Sequence, residues 1–172
     1  MNQNRDAPDM TPVLRLGLKR VQLDERVLGD DELRTAPFVR ILGEDVVRNL
    51  MSQGTGKRFA DQARVFIEGE PGSTLVLVLK GEVRMFVGTG EDALEICAAR
   101  KGDVVGEGEV LGLSASRGQT AQARGDVEVV EFSRETVAAL IRDVPALGAH
   151  LNELHMSRKA AGADLADFLN RW

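Results

Sequence analysis

The chain has no tyrosine, one tryptophan, one cysteine and two histidines among its 172 residues, and aromatic side chains make up only 4%. So few rings leave little from which to build a base-stacking platform. A single cysteine, Cys97, excludes an intrachain disulfide. With no histidine or Cys-x-x-Cys partner nearby, it reads as a small buried hydrophobe rather than a reactive thiol. The histidines, His150 and His155, are five positions apart in a helical stretch, so they do not share a face and make no metal site. Both read as surface or packing residues. No apolar run approaches the roughly 18 residues of a membrane span, and Met1 to Pro12 lacks the apolar centre of a signal peptide. Basic residues number 22 against 27 acidic, a net charge of -5, which argues against a nucleic-acid surface. Gly-x-Ser-x-Gly elbows, phosphate-binding Walker loops and Cys/His pairs are all missing. The expectation is a cytoplasmic, non-catalytic protein with no nucleic-acid partner and no membrane span.

What the chain does have is an apolar fraction of 43% and 18 glycines. The order of patterns predicts a mainly β fold with flanking α segments: a double-sheet β jelly roll with N-terminal helices and a long C-terminal helix. Residues 1–12 read as a disordered lead. Residues 13–56 read as a helical segment, although 13–28 is ambiguous. Leu14, Leu16 and Leu18 alternate as in a strand, while Leu14, Leu18, Val21 and Leu28 share a helical face, and helix is preferred. Asp30, Asp31 and Glu32 suit a helix start, and Glu44 to Met51 forms another helix before the Ser52–Gly56 break. Over 57–132, eight short strands are predicted, near 57–60, 64–67, 75–79, 82–87, 93–99, 103–105, 119–123 and 127–132, with glycine-rich turns that include Lys80-Gly81. Their core would hold Val65, Ile67, Leu75, Leu77, Leu79, Val83, Met85, Val87, Leu94 and Ile96.

Residues 133–172 read as C-terminal helices. Ser133 is a suitable N-cap and Pro145 marks a break. From there Leu147, Leu151, Leu154, Arg158, Ala161, Leu165, Phe168 and Trp172 recur in steps of four and three. That stripe predicts a coiled-coil seam joining a homodimer, with Arg158 as a polar register residue. A helix lying on its own barrel gives a similar stripe.

The richest stretch runs from Gly102 to Ala123. It holds five glycines, Glu107, Glu109 and Arg117. Glycines at this density let successive N–H groups form an anion nest. Arg117 adds a forked donor suited to phosphate, and Glu107 can accept hydrogen bonds from a hydroxyl pair. Together these describe a sugar-phosphate site. Glu107 and Glu109 make a weak catalytic pair, since no electrophile site accompanies them.

These residues resemble the phosphate-binding cassette of cyclic-nucleotide-binding domains, Phe-Gly-Glu-Leu-Ala-Leu followed by Pro-Arg-Ser/Thr/Ala-Ala. Val105 to Val110 aligns with the first half and Ser116 to Gln119 with the second. The likeness extends over about Asp31 to Lys159, in the manner of a catabolite activator protein-like sensor domain. It implies a regulatory module for cAMP or cGMP, with Gly106 as the turn glycine, Glu107 as acceptor for the ribose 2′-hydroxyl and Arg117 as partner of the cyclic phosphate. Gly108, Glu109, Gly118 and Gln119 complete the cassette but depart from its pattern. Glu109 stands where Ala or Gly is usual, close to the phosphate, where it could also pair with Arg117 and close the pocket. Gly108 replaces a core leucine, Gly118 removes a hydroxyl, and Gln119 is bulkier than the usual alanine. The position that contacts the purine in the activator falls near Gly162-Ala163, without a hydroxyl. The resemblance implies no catalysis and no cofactor beyond the nucleotide, and the chain shows no helix-turn-helix segment. Two expectations follow: a cyclic-nucleotide sensor with weakened or lost binding, or a degenerate scaffold that works through an unknown protein effector.

Overall fold

The computed structural model describes residues 14–15 and 20–171. The lead at 1–12, Leu16, Leu18 and Trp172 lie outside them. Four helices open the main body, α1 (Arg20–Leu28), α2 (Asp31–Thr35), α3 (Pro37–Leu42) and α4 (Glu44–Gln53). Asp30 caps α2 by accepting from the N–H groups of Glu32 and Leu33 at 3.0 and 3.2 Å, and Pro37 occupies the first turn of α3, where no N–H is needed. The strands are β1 (Leu14–Arg15), β2 (Thr55–Phe59), β3 (Arg64–Phe66), β4 (Leu75–Val87), β5 (Leu94–Arg100), β6 (Val104–Val105) and β7 (Thr120–Phe132). Helix α5 (Glu107–Val110) interrupts them, and α6 (Arg134–Asp143) and α7 (Pro145–Asn170) close the chain. Ser133 caps α6 through Thr136 N at 3.1 Å.

All strand pairs are antiparallel, in the order β1-β2-β7-β4-β5, with β3 on β7 and β6 on β4. The jelly-roll expectation holds, but its strand count changes. The predicted strands 75–79 and 82–87 are one 13-residue strand, and so are 119–123 and 127–132. Lys80-Gly81 is a bulge in β4 rather than a turn: Gly81 has φ +84, and the register with β7 shifts on both sides of Lys80. A bulge bends a strand without ending it, which local turn signals do not distinguish. The helix expected over 13–28 is corrected at Leu14–Arg15, which pair with β2 as a strand, while Arg20–Leu28 is helix as expected.

The bulge explains the burial pattern. Leu75, Leu77 and Leu79 pack with Val130 and Phe132 against a helical layer that includes Val27, Leu33, Phe38, Met51, Leu147 and Leu151. Val76 and Val78 point the other way, into the roll. Beyond Gly81 the odd positions Val83 and Met85 face that interior instead, with Ala121, Ala123, Val127 and Val129. A two-residue period allows this only if the strand changes phase. Of the ten expected core residues, Val65, Ile67, Val87, Leu94 and Ile96 are half-buried rather than buried.

Glu128 anchors α1 to the sheet. It accepts from Arg58 at 2.8 Å and pairs with Arg26. Burial pushes its carboxyl up, but the hydrogen bonds and charges of Arg58 and Arg26 outweigh this and hold it below its ordinary value. Cys97 is half-buried, and burial pushes its thiol up against a smaller opposing pull from Arg158.

The C-terminal stripe is spent differently from a coiled-coil seam in its first half. Leu147 and Leu151 are fully buried in the chain's own core, Leu154 packs against that core, and Arg158 is only 7% exposed. Arg158 is therefore not a seam residue; it is drawn inward by a carboxylate described below. Beyond it, Leu165 is half-buried and Phe168 and Leu169 are exposed.

Candidate functional site

The cassette lies between β6 and β7. Its turn begins at Gly106, where φ is +86 and ψ +19. A Cβ there would lie 2.5 Å from Thr74 O and 2.6 Å from Arg117 Nη1, so glycine is required by both torsion and space. The chain then enters α5, placing Glu107 and Glu109 inside rather than in solvent, at 5% and 7% exposure. Such burial of two carboxylates is sustained only by partners, and each has an arginine.

Glu109 meets Arg117. Its Oε2 accepts from Arg117 Nη1 at 3.3 Å and its Oε1 accepts from Gly118 N at 3.1 Å. Arg117 is itself fixed on several sides. Its Nη1 donates to Thr74 O at 3.0 Å, its Nη2 donates to Thr74 Oγ1 at 2.8 Å, and its guanidinium carbon sits 4.2 Å from the centre of the Phe66 ring. The backbone is tied as well: Gly69 N donates to Arg117 O and Arg117 N to Glu70 O, both at 2.8 Å. Gly72 supplies the room, since a Cβ there would come 2.1 Å from Arg117 Nε.

Glu107 meets α7. Its Oε2 accepts from Arg158 Nη1 at 2.7 Å. His155, one helical turn earlier, covers the cassette at Gly108, where a Cβ would lie 2.8 Å from the imidazole Cε1. The leucine usual at that position would collide with His155, so the glycine and the histidine fit as a pair.

Two neighbouring spaces share part of their lining. The inner one, about 40 Å³, lies among Phe66, Met85, Glu107, Glu109, Gln119 and His155. It has room for little more than a few water molecules. The outer one, about 370 Å³, opens between the cassette and α7 and shares Gly118, Gln119 and His155 with the first. A groove of about 380 Å³ elsewhere, by Arg64, Phe86 and Gln122, shares no residue with the cassette. Among the described residues, no buried polar side-chain atom lacks a hydrogen-bond partner.

The structure thus brings Gly106, Glu107, Gly108, Glu109, Gly118 and Gln119 around one cavity, with Arg117 behind Glu109. Sequence reasoning missed Thr74, Phe66, Gly72, His155 and the true place of Arg158. Gly72 and Thr74 stand in the loop before β4, away from the cassette in sequence. Nothing local marks Arg158, because its partner lies 51 residues away.

A roll of antiparallel strands holding a glycine-turned cassette of one arginine and inward carboxylates defines a class, and the chain belongs to it: the cyclic nucleotide-binding domain family, whose profile matches residues 56–144. Within the family, the chain is similar to the cyclic AMP receptor protein of Thermus thermophilus, 29% identical over 136 residues, or 77% of this chain and 61% of that protein. The solved Thermus thermophilus catabolite activator protein superposes with TM-score 0.62 at 29% identity, covering 78% of this chain and 63% of that one. The sensor domain of the transcriptional regulator DNR from Pseudomonas aeruginosa matches with TM-score 0.66 at 18% identity, covering 82% and 95%. That last likeness concerns the fold alone. The chain spans less than two thirds of the Thermus relative.

Proposed function

We propose that this chain is a non-catalytic regulatory module that binds cAMP or cGMP weakly, because Glu109 already fills the phosphate end of its site. The observation that carries this is the pair of contacts from Glu109 to Arg117 Nη1 and Gly118 N. The family resemblance gives Arg117 to the cyclic phosphate and places position 109 close to it. A carboxylate held there acts as a built-in stand-in for that anion. To bind, a nucleotide displaces it and meets its charge: at about 5 Å and an effective dielectric of about 20, the repulsion is about 3 kcal/mol, or roughly a hundredfold in affinity.

Calorimetric titration of wild type and Glu109→Ala with cAMP and cGMP tests the proposal. The variant is expected to bind about 10- to 100-fold more tightly, and Arg117→Ala in that background should abolish the gain. Tight wild-type binding that Glu109→Ala leaves unchanged refutes it.

The second reading, a scaffold that has lost its ligand and acts on a protein effector, draws on the same self-satisfied site. It is the outcome if neither wild type nor Glu109→Ala binds either nucleotide. In both readings we assign homodimerisation to the distal part of α7, where Leu165 and Phe168 continue the four-three stripe beyond the chain's own core. A cytoplasmic setting accords with the finding that no helix among the described residues is long and apolar enough to cross a membrane.

A further inference from the structure

We propose that the groove beside Arg64, on the outer face of the sheet, is a docking site for an extended acidic segment of a partner protein. The segment's acid meets Arg64, and an apolar residue two positions along meets Phe86. The groove shares no residue with the cassette, so this inference is independent of the preceding reading.

Pleating and one bulge build its floor. Met85 and Ala121 point into the roll, so Arg84 and Phe86 on β4, and Thr120 and Gln122 on β7, face outward. Arg84 pairs with Gln122 and Phe86 with Thr120. An unbroken period in β3 would turn Arg64 inward with Phe66, which is buried in the roll. A register shift between the two prevents this: Arg64 pairs with Gln122, and Phe66 with Ala121. The bulge re-aims the arginine outward, where it is exposed. The loop at 88–93, which joins β4 to β5, adds Gly88, Thr89 and Ala93 to the lining.

The lining keeps capacity to bind. Among the described residues, Arg64 forms no ion pair, whereas Arg84 is committed to Glu95 through Nε at 2.9 Å and through Nη2. Thr120 Oγ1 accepts from Glu68 N at 3.0 Å and keeps its O–H to donate. Gln122 Nε2 donates to Gln62 O at 3.0 Å, which leaves its Oε1 to accept. Phe86 and Ile67 supply apolar surface. In a chain of net charge -5, no carboxylate lines this groove; Glu91 and Asp92 belong to the loop but not to the lining.

Spacing then names the occupant. Thr120 and Gln122 are two residues apart on β7, so the row holding Phe86 lies about 6.6 Å from the row holding Arg64. An extended segment repeats its side chains on one face at that same interval. Its residue i therefore reaches Arg64 as residue i+2 reaches Phe86. At about 380 Å³, the size of a small-ligand site, the groove receives a few residues rather than a broad protein face. One ring and one unpaired arginine make no track for a phosphate backbone with stacked bases, so the acid is that of a peptide.

Amide chemical-shift titrations of the full chain with capped pentapeptides test this. Thr-Glu-Thr-Leu-Thr is compared with Thr-Gln-Thr-Leu-Thr, which loses the charge, and with Thr-Glu-Leu-Thr-Thr, which loses the spacing. The first should bind about fivefold more tightly than either of the others, with its shifts centred on Arg64, Phe86 and Gln122. Its lead over the glutamine peptide should narrow as salt is raised. Arg64→Glu, at an exposed position, should erase that lead or reverse it. Phe86→Thr should weaken binding of the first peptide while circular dichroism stays unchanged. Glu109→Ala should leave its binding within about twofold, because the cassette lies elsewhere. Equal binding of the three peptides, binding of none, or a lead that survives Arg64→Glu overturns the proposal. So does tighter binding of oligouridylate by the same residues, which would make the groove a nucleic-acid surface.

Discussion

The two buried ion pairs of the cassette do different work. Glu109 and Arg117 are eight residues apart and belong to one loop, while Glu107 and Arg158 are 51 apart and join the cassette to α7. Arg117 has other support, from both oxygens of Thr74 and the ring of Phe66. For the Glu107 side chain, the partner among the described residues is Arg158. The local pair closes a pocket; the distant pair sets where a helix lies. We propose that coupling between site and helix runs through Glu107, and that occupancy of the phosphate end is decided at Glu109.

The largest effect should come from breaking the distant pair. Arg158→Leu leaves Glu107 buried and uncompensated and should cost about 3–5 kcal/mol in urea unfolding. Adding Glu107→Gln should recover most of it, because the stranded charge is gone. If the single variant unfolds like wild type, the coupling is not there.

Glu109→Ala should cost less in the absence of nucleotide, about 1–3 kcal/mol, since Arg117 keeps its Thr74 acceptors and loses one partner. Saturating cAMP should then restore stability to this variant more than to wild type, as a ligand selective for the folded state does. A cost as large as that of Arg158→Leu would mean the two pairs are equivalent.

A third test leaves both pairs intact. Replacing Leu165 and Phe168 together by Glu should change folding free energy by no more than about 0.5 kcal/mol and convert a dimer to a monomer in sedimentation. Leu154 is unsuitable for this purpose, because it packs against the core.

The smallest effect concerns a pair remote from the site. Glu128 is held below its ordinary value by Arg58 and Arg26, against the upward push of burial. A carboxyl depressed on folding adds stability that is fully present above its unfolded value and is lost as pH falls through the folded one. Urea midpoints should therefore drop from about pH 4.5 downward, and Glu128→Gln should flatten part of that drop. An unchanged acid slope would remove Glu128 from the account.

Much of this was open to sequence reasoning. The apolar run from Leu75 to Leu79, glycine punctuation and the Gly106-Glu107…Arg117 spacing pointed to a sandwich or barrel carrying a sugar-phosphate loop, because run length and turn chemistry are local properties, and the family resemblance narrowed this to a jelly roll with its cassette. They also allowed Glu109 to close on Arg117, its neighbour in the same loop. Lys80-Gly81 defeated the same reasoning: a turn and a bulge use the same residue types, and only pairing with β7 separates them. Arg158 defeated it more completely. Its four-three spacing fits a seam between two chains as well as a face on one, and periodicity records only that a side is covered, not by what. The folding of Gly106 and α5, which buries Glu107, made the difference. A carboxylate removed from water needs a compensating charge far more than a helix seam needs an arginine, and that demand turned Arg158 inward.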